Sequence, residues 1–494
     1  MMAVVRWLVV AMICGLLIWV VRDRIRILGD PNPDIAGIET TFVHAVQSRI
    51  DRGTMYADPE RTPFEVYQYS PLYFELVAAS LGHRYDRVEA IYRTGRTINL
   101  IADLLTALLL GWMTWRVSKG ATWWAFCVGA VAFALFFAHH FAVRPDAVKT
   151  LLVLSAWALV WQPPDASKRS MASIALSALL IALAVFVKQD AAWSAVAIAI
   201  FLLVDRERRV VAVFTVTGLL VGVLLLATCH MAYGPWFLQN AVIGLGQGAD
   251  PYWLLLVVRH FWNDLVAIAV LTILPVWALS SMPSELPKGR TFGVLLLLVL
   301  SAASLAKWGS TFVYLTEAML LLLLLNATIL FRRGWLGRPG LLIMAFLMVH
   351  AIASRTTITM NRYTYDVERA EADALQRSLR RDVVDRLSGS FTDSTAIITF
   401  DKDLCNLLSP HCIFATFEAE YPDLMSCDFS FPTQPRRIFD YAVLHAGVRA
   451  GEVDWMIGRG CGRLEAFLEP LDNGYVAVDT MHDYVLYRHS TFRQ

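Results

Sequence analysis

After its opening Glu317, EAMLLLLLLNATILF (317–331) is apolar around its whole helical circumference, interrupted only by Asn326 and Thr328. A helix with no polar face is buried in a large core or in a bilayer. LLVLSAWALVW (151–161) repeats the pattern. Similar runs recur at about 4–21, 97–115, 121–139, 147–162, 171–187, 191–204, 210–228, 264–280, 291–306, 317–331 and 340–354. That makes about eleven spans, several shorter than the roughly 20 residues of a full crossing. With 57% hydrophobic and 17% charged residues and a mean hydropathy of +0.51, a soluble single-core protein is excluded. The expected fold is mainly α: a polytopic transmembrane helix bundle over 1–354, followed by an extracytoplasmic α/β domain over 355–494.

The opening MMAVVRWLVVAMICGLLIWVV (1–21) is followed by VVRDRIR rather than a small-x-small cleavage site, so it reads as a retained signal anchor. Alternate short linkers are basic: Arg116 and Lys119; Lys168 and Arg169; Arg206, Arg208 and Arg209; Lys288 and Arg290; Arg332, Arg333 and Arg338. Short basic linkers face the cytoplasm. The amino terminus is then inside, and 22–96 and 355–494 are outside. The first outer loop is itself rich in arginine (Arg22, Arg24, Arg26, Arg49, Arg52, Arg61), but long loops escape the charge rule. Its cations either solvate the loop or hold a phosphate at the outer leaflet. No basic face with interleaved aromatics stands out, so nucleic acid is not an expected partner.

Within that loop, GDPNPDIAGIETTFVHAVQSRIDRGTMY (29–56) enters a short amphipathic helix. Ile38, Phe42, Val43, Val46 and Ile50 share one face, an arrangement suited to the membrane interface. YQYSPLYFELVAASLG (67–82) is apolar but too short to span, and a basic stretch with Arg84, Arg87, Arg93 and Arg96 follows.

Ionisable groups at membrane depth cost roughly 2.5–3.5 kcal/mol and tend to be kept for a function. Four such sites fall on the outer side. Glu39 lies on the loop helix with Asp34 upstream, and FAVRPDAVK (141–149) carries Arg144 and Asp146. FVKQDAAW (186–193) carries Lys188, Gln189 and Asp190, and KWGSTFVYLTEAM (307–319) carries Lys307, Tyr314 and Glu317. Each has a plain structural reading too. Arg144 and Asp146 form a local salt bridge at a helix start, Lys188 snorkels to the interface, and Glu317 meets a helix macrodipole. His139 and His140 read as an interfacial aromatic pair, and Asn326 as a helix–helix contact.

Together the four sites suit a transfer reaction at the outer surface. A carboxylate near the interface would act as general base on an acceptor hydroxyl. Arg84, Arg87, Arg93, Arg96, Arg144, Lys188 and Lys307 would hold a donor phosphate as its bond to the sugar breaks. Tyr69, Gln189, Asp190, Tyr314 and Glu317 would line the substrate. A polyprenyl tail on the donor explains why such a site lies at lipid depth.

The terminal part opens with the charged helix RYTYDVERAEADALQRSLRRDVVDRLSG (362–389). The β-rich runs AIITF (396–400), IFDYAVL (438–444), YVAVD (475–479) and YVLYR (484–488) follow. Cys405, Cys412, Cys427 and Cys461 all fall here, an even set that suggests two disulfides in one of three connectivities. A zinc site from the same thiolates is the weaker alternative, since no C-x2-C pair exists.

In order and spacing, IETTFVHAVQSRIDRGTMY, YSPLYFELVAASLG, RTGRTINLIADLLTALLLGWM, VRPDAVK, VFVKQDA and KWGSTFVYLTEA resemble the bacterial polytopic glycosyltransferases of the GT-C superfamily. These include the lipid A aminoarabinose and galacturonic acid transferases and the protein O-mannosyltransferase relatives. The resemblance covers about residues 1–350. It implies an inner-membrane hexosyl- or pentosyltransferase that moves a sugar with inversion from a polyprenyl-phosphate donor to an envelope lipid, polysaccharide or protein on the periplasmic face. It also implies that the first-loop acid, here Glu39, is the base. Many relatives carry an Asp-Glu pair where this chain has Ile38-Glu39, which keeps Asp34 and Asp146 open. Relatives with and without a divalent metal exist; no dedicated ligand cluster is visible, and no other cofactor is implied. The same one-sided charges would also line the path of a transporter or flippase for a lipid-linked saccharide, and a non-catalytic envelope assembly protein is a third reading.

Overall fold

The computed structural model describes residues 2–29, 39–81, 88–135, 140–161, 169–246, 248–281, 288–307, 309–334, 346, 367–392, 394–416, 438–459 and 463–492. Ten of the eleven apolar segments coincide with helices, and 340–354 lies outside these residues except for position 346. In chain order come α1 (Met2–Gly29), α2 (Glu39–Arg52), β1 (Phe64–Val66), α3 (Leu72–Leu81), α4 (Val88–Val117), α5 (Thr122–Leu135) and α6 (Asp146–Val160). There follow α7 (Met171–Val187), α8 (Ala192–Val204), α9 (Arg208–Tyr233), α10 (Trp236–Ala241), α11 (Pro251–His260), α12 (Trp262–Ser281), α13 (Lys288–Ala303) and α14 (Thr316–Arg332). Among the described residues, five segments are long and apolar enough to cross a membrane: Val88–Val117, Arg208–Tyr233, Trp262–Ser281, Lys288–Ala306 and Phe312–Arg332.

The leucine-rich helix α14 is the axis of the bundle. Every residue from Thr316 to Leu330 is buried, which is why it needs no polar face. Peripheral α9 does the opposite, exposing Val216, Leu219, Leu220, Val223 and Leu224, an apolar surface that suits lipid and not water. Asn326 has a specific task. Pro275 inside α12 has no N–H, so the Leu271 carbonyl one turn earlier loses its helical donor. The Asn326 side-chain amide donates to that carbonyl at 2.7 Å. Close helix approach elsewhere relies on small residues: a Cβ on Gly293 of α13 would stand 2.8 Å from the Phe201 Cβ and 3.0 Å from the Ala197 carbonyl oxygen of α8.

Two expectations for the first loop are corrected. The polar segment does not begin at Arg22, because α1 runs on to Gly29. The extra turns are tolerated because Arg24 turns inward and donates to Asp103 of α4 at 2.6 Å, while Ile27 packs on Phe141 and Ala142. Nor does α2 lie with one face in the interface. Residues Glu39–Ser48 are all buried, enclosed by the bundle and by the chain's terminal part.

That terminal part contains α15 (Val367–Ser388), β2 (Ile397–Thr399), α16 (Lys402–Leu407), β3 (Phe414–Thr416), α17 (Ala442–Ala450), β4 (Trp455–Arg459), α18 (Arg463–Leu468), β5 (Tyr475–Met481) and β6 (Tyr484–His489). Four strands form one sheet in the order β2-β4-β6-β5, with β2 and β4 parallel and the other pairs antiparallel. The run IFDYAVL, expected as a strand, instead enters helix α17. Leu444 and Val448, four apart, bury one helical face, and Gly451 ends it at φ +73°. Strand β4 was not anticipated.

First loop and terminal part are stitched together. Strand β1 pairs in parallel with β3, Phe64 opposite Phe414, and Phe64 and Val66 join the apolar core of Phe414, Phe439, Tyr441 and Met456. His44 of α2 bridges Asn406 of α16 (2.8 Å) and Glu65 of β1 (3.3 Å). Burial pushes the Glu65 carboxyl up, but His44 and Arg52 outweigh it and hold the group below the usual carboxylate range.

Candidate active site

The chain is unwound from His140 to Pro145, and Asp146 opens α6 just beyond it. Asn99 of α4 holds this segment by donating to the Ala142 and Arg144 carbonyls, the latter at 2.9 Å. His140 contacts Asp103 at 2.9 Å and is fully buried, so it serves the same helix junction as Arg24 rather than an interface.

Around Asp146 the sequence sites converge. Its Oδ1 accepts from Lys188 Nζ at 2.6 Å, and its Oδ2 faces Arg144 Nε at 3.3 Å. Lys188 caps α7 and lies against the rings of Tyr314 (4.4 Å) and Tyr69 (5.8 Å). One helical turn into α6, Lys149 sits between Asp190 Oδ2 (2.8 Å) and Glu317 Oε1 (3.0 Å), and Thr150 donates to the same Glu317 oxygen at 2.7 Å. Lys149 and Thr150 were not singled out from sequence, although Lys149 ends the VRPDAVK motif one turn from Asp146. Gln189 donates to the Gln68 and Ala241 carbonyls, so it pins the α7–α8 turn to the first loop rather than pointing at open space. Lys307 is within electrostatic reach of Lys188 and Asp190, yet makes no ion pair among the described residues.

Glu39 is next door and engaged differently. Arg96 grips both of its oxygens, Nε to Oε1 and Nη2 to Oε2, each at 2.8 Å. The Val143 N–H adds a third donor at 2.7 Å, one residue from Arg144. Arg96, expected on a donor phosphate, is therefore spent on Glu39 and on the Ile27 carbonyl. Arg93 is exposed on α4. Asp34, Arg84, Arg87, Cys427 and Cys461 lie outside the described residues, and Cys405 and Cys412 form a disulfide.

The other ends of these helices carry the basic linkers. Arg169 pairs with Asp205 at 3.0 Å and contacts Glu207, and Arg290 lies over Trp161. A helix such as α7, with 17 residues at 1.5 Å each, sets the two ends about 25 Å apart. Among the described residues no three His, Cys, Asp or Glu side chains converge to hold a metal. Asp146 and Asp190 each face a lysine, so these residues do not fit a divalent cation.

A search of solved structures finds this architecture over almost the whole chain. ArnT from Cupriavidus metallidurans bound to undecaprenyl phosphate matches with a TM-score of 0.60, covering 96% of this chain and 98% of that one at 12% identity. The two share one fold. Apo ArnT from the same organism matches at a TM-score of 0.56 with 14% identity, covering 91% of this chain and 92% of its own. The oligosaccharyltransferase of Archaeoglobus fulgidus matches at 0.53 with 12% identity, over 97% of this chain and 75% of that one. No protein-family model and no curated protein matches the sequence.

Proposed function

We propose that this chain is a multi-pass membrane glycosyltransferase. It moves a hexose or pentose from a polyprenyl-phosphate donor to an acceptor of the bacterial cell envelope, on the periplasmic face and with inversion. One observation carries the reading: Arg144, Lys188 and Lys307 gather at one end of a GT-C-type bundle, beside the carboxylates Asp146, Asp190 and Glu317 and the rings of Tyr69 and Tyr314. Cations in a site shielded from water neutralise a leaving phosphate far better than they would in solution. Undecaprenyl phosphate bound to a protein of the same fold supports a lipid-phosphate donor here. Aromatic faces beside Lys188 suit the apolar side of a sugar ring.

The orientation follows from charge and redox chemistry. Basic linkers at the far ends of the helices belong in the cytoplasm, and the Cys405–Cys412 disulfide suits an oxidising compartment. Domains 1–354 and 355–494 are then a catalytic bundle and a periplasmic part that encloses the first loop.

The test is release of free polyprenyl phosphate from a panel of polyprenyl-phosphate sugars by the purified protein in detergent. Release that falls with Lys188→Met supports the reading. A protein that moves a lipid-linked sugar across vesicle membranes without cleaving any donor would be a flippase, and the transferase reading would be lost.

A further inference from the structure

Five arginines are buried among the described residues, and four of them face a carboxylate. Arg24 meets Asp103, Arg96 meets Glu39, Arg144 meets Asp146, and Arg169 meets Asp205 and Glu207. The fifth, Arg290, is 6% exposed and makes neither an ion pair nor a hydrogen bond among the described residues. Its Nε and Nη1 are both buried and unpaired. The guanidinium lies 5.6 Å over the Trp161 ring, whose own indole N–H is buried without a partner. Arg169 and Arg332 are within electrostatic reach and repel it, while Asp205 and Glu207, the acids in reach, are already engaged by Arg169. A guanidinium cannot shed its proton, and a buried charge without a counter-ion is strongly unfavourable. The ring beneath it offsets a part of that cost. The fold nonetheless keeps Arg290 inward. It is the third residue of α13, whose start is pressed on the end of α8. A Cβ on Gly289 would stand 2.2 Å from Asp205 Oδ1 and 2.6 Å from the Phe201 carbonyl oxygen.

We propose that Arg290 anchors an anion site at the end of the bundle opposite the Asp146–Lys188 cluster, and that its ligand is a phosphate-bearing lipid headgroup. A phosphate diester offers acceptors and a negative charge. The site offers a cation and three unpaired donors, Arg290 Nε and Nη1 and Trp161 Nε1. Hydrogen bonds between a guanidinium and phosphate are charge-assisted and among the strongest a side chain makes. Position favours a lipid over a free anion. Helix α13 opens a segment long and apolar enough to cross a membrane, so its third residue lies at headgroup depth. Phe292 and Val299 of the same helix are exposed and give the lipid tails an apolar wall. In the orientation proposed above this end faces the cytoplasmic leaflet, where basic pockets between helix ends bind anionic lipids. The site does not depend on sugar transfer.

The experiment uses the full chain, delipidated in a nonionic detergent, and reads melting temperature against added ligand. The probes are short-chain phosphatidylglycerol, diacylglycerol with the same chains, and inorganic phosphate. Phosphatidylglycerol raises the melting temperature of the wild type and diacylglycerol does not, because a ligand of the native state stabilises it. Arg290→Gln weakens phosphatidylglycerol binding about tenfold. Trp161→Phe keeps the ring, removes the N–H and weakens binding less. Without lipid, Arg290→Gln melts at or above the wild-type temperature, since it removes an unpaired buried charge. Melting below wild type at that point marks a purely structural arginine and overturns the site. So does equal stabilisation by diacylglycerol, or an Arg290→Gln affinity within about threefold of wild type. A gain that Lys307→Met abolishes and Arg290→Gln keeps puts the lipid at the other end of the bundle and overturns it too. An equal gain from inorganic phosphate, lost in Arg290→Gln, supports the anion site and overturns the lipid as its ligand.

Discussion

Arg96 holds Glu39 in a two-pronged pair, Nε on Oε1 and Nη2 on Oε2 at 2.8 Å each, with 1% and 0% of the two side chains exposed. The pair joins the start of α2 to the first third of α4, and the Val143 N–H on the same carboxylate sets the backbone that presents Arg144. Removing one partner of a buried pair leaves the other charge uncompensated, at a cost of about 3–5 kcal/mol. Glu39→Gln should therefore unfold much earlier in a denaturation series in detergent. Adding Arg96→Met should recover part of the loss. Stability equal to wild type in the single variant would show that the pair is not formed.

Lys188 and Lys307 separate structure from function. Lys188→Met strips Asp146 of its closest cation, so both thermal stability and donor binding should drop. Lys307 has no ion pair among the described residues to lose. Lys307→Met should leave the melting temperature near that of wild type while weakening polyprenyl-phosphate binding about tenfold, or about 1.4 kcal/mol. Titration of the lipid phosphate against both variants checks this; undiminished binding by Lys307→Met would remove Lys307 from the site.

Asn326→Leu is a test of the bundle alone. It returns the Leu271 carbonyl beside Pro275 to an unpaired state, which within a membrane bundle costs about 1 kcal/mol. A small fall in melting temperature with full turnover is expected. A stability equal to or above wild type would mean the carbonyl finds another donor.

Acid should loosen the terminal part before the bundle. Burial pushes the Asp401 carboxyl up, but Arg380, the Tyr484 hydroxyl, the Leu404 N–H and Arg459 outweigh it and hold the group below the ordinary carboxylate range. A carboxyl depressed in the folded state adds stability that is complete above its unfolded value, near pH 4, and is lost as pH falls through the folded one. Hydrogen exchange in β2, α16 and β6 should therefore rise below about pH 4. Asp401→Asn should show fast exchange already at neutral pH and a weaker acid dependence.

Much of the architecture was legible in the chain because a bilayer demands it. Runs such as 317–331 have no reading but a buried helix, since every backbone polar group must be satisfied within the segment. That Arg144, Asp146, Lys188, Asp190, Lys307 and Glu317 belong at one end of the bundle followed from where each apolar run stops. Partner choice was not legible. That Arg96 belongs to Glu39, that Lys149 divides itself between Asp190 and Glu317, and that Arg24 folds back on Asp103 depend on distances between helices 41 to 168 residues apart in sequence. The same holds for IFDYAVL, whose β-rich composition yielded to the chance to bury Leu444 and Val448 on one helical face. Local patterns reach about two turns along the chain, and they set which segments are helical and which end of each is charged. Pairing energies act through space, so which carboxylate is sealed by which cation emerged when the helices were packed.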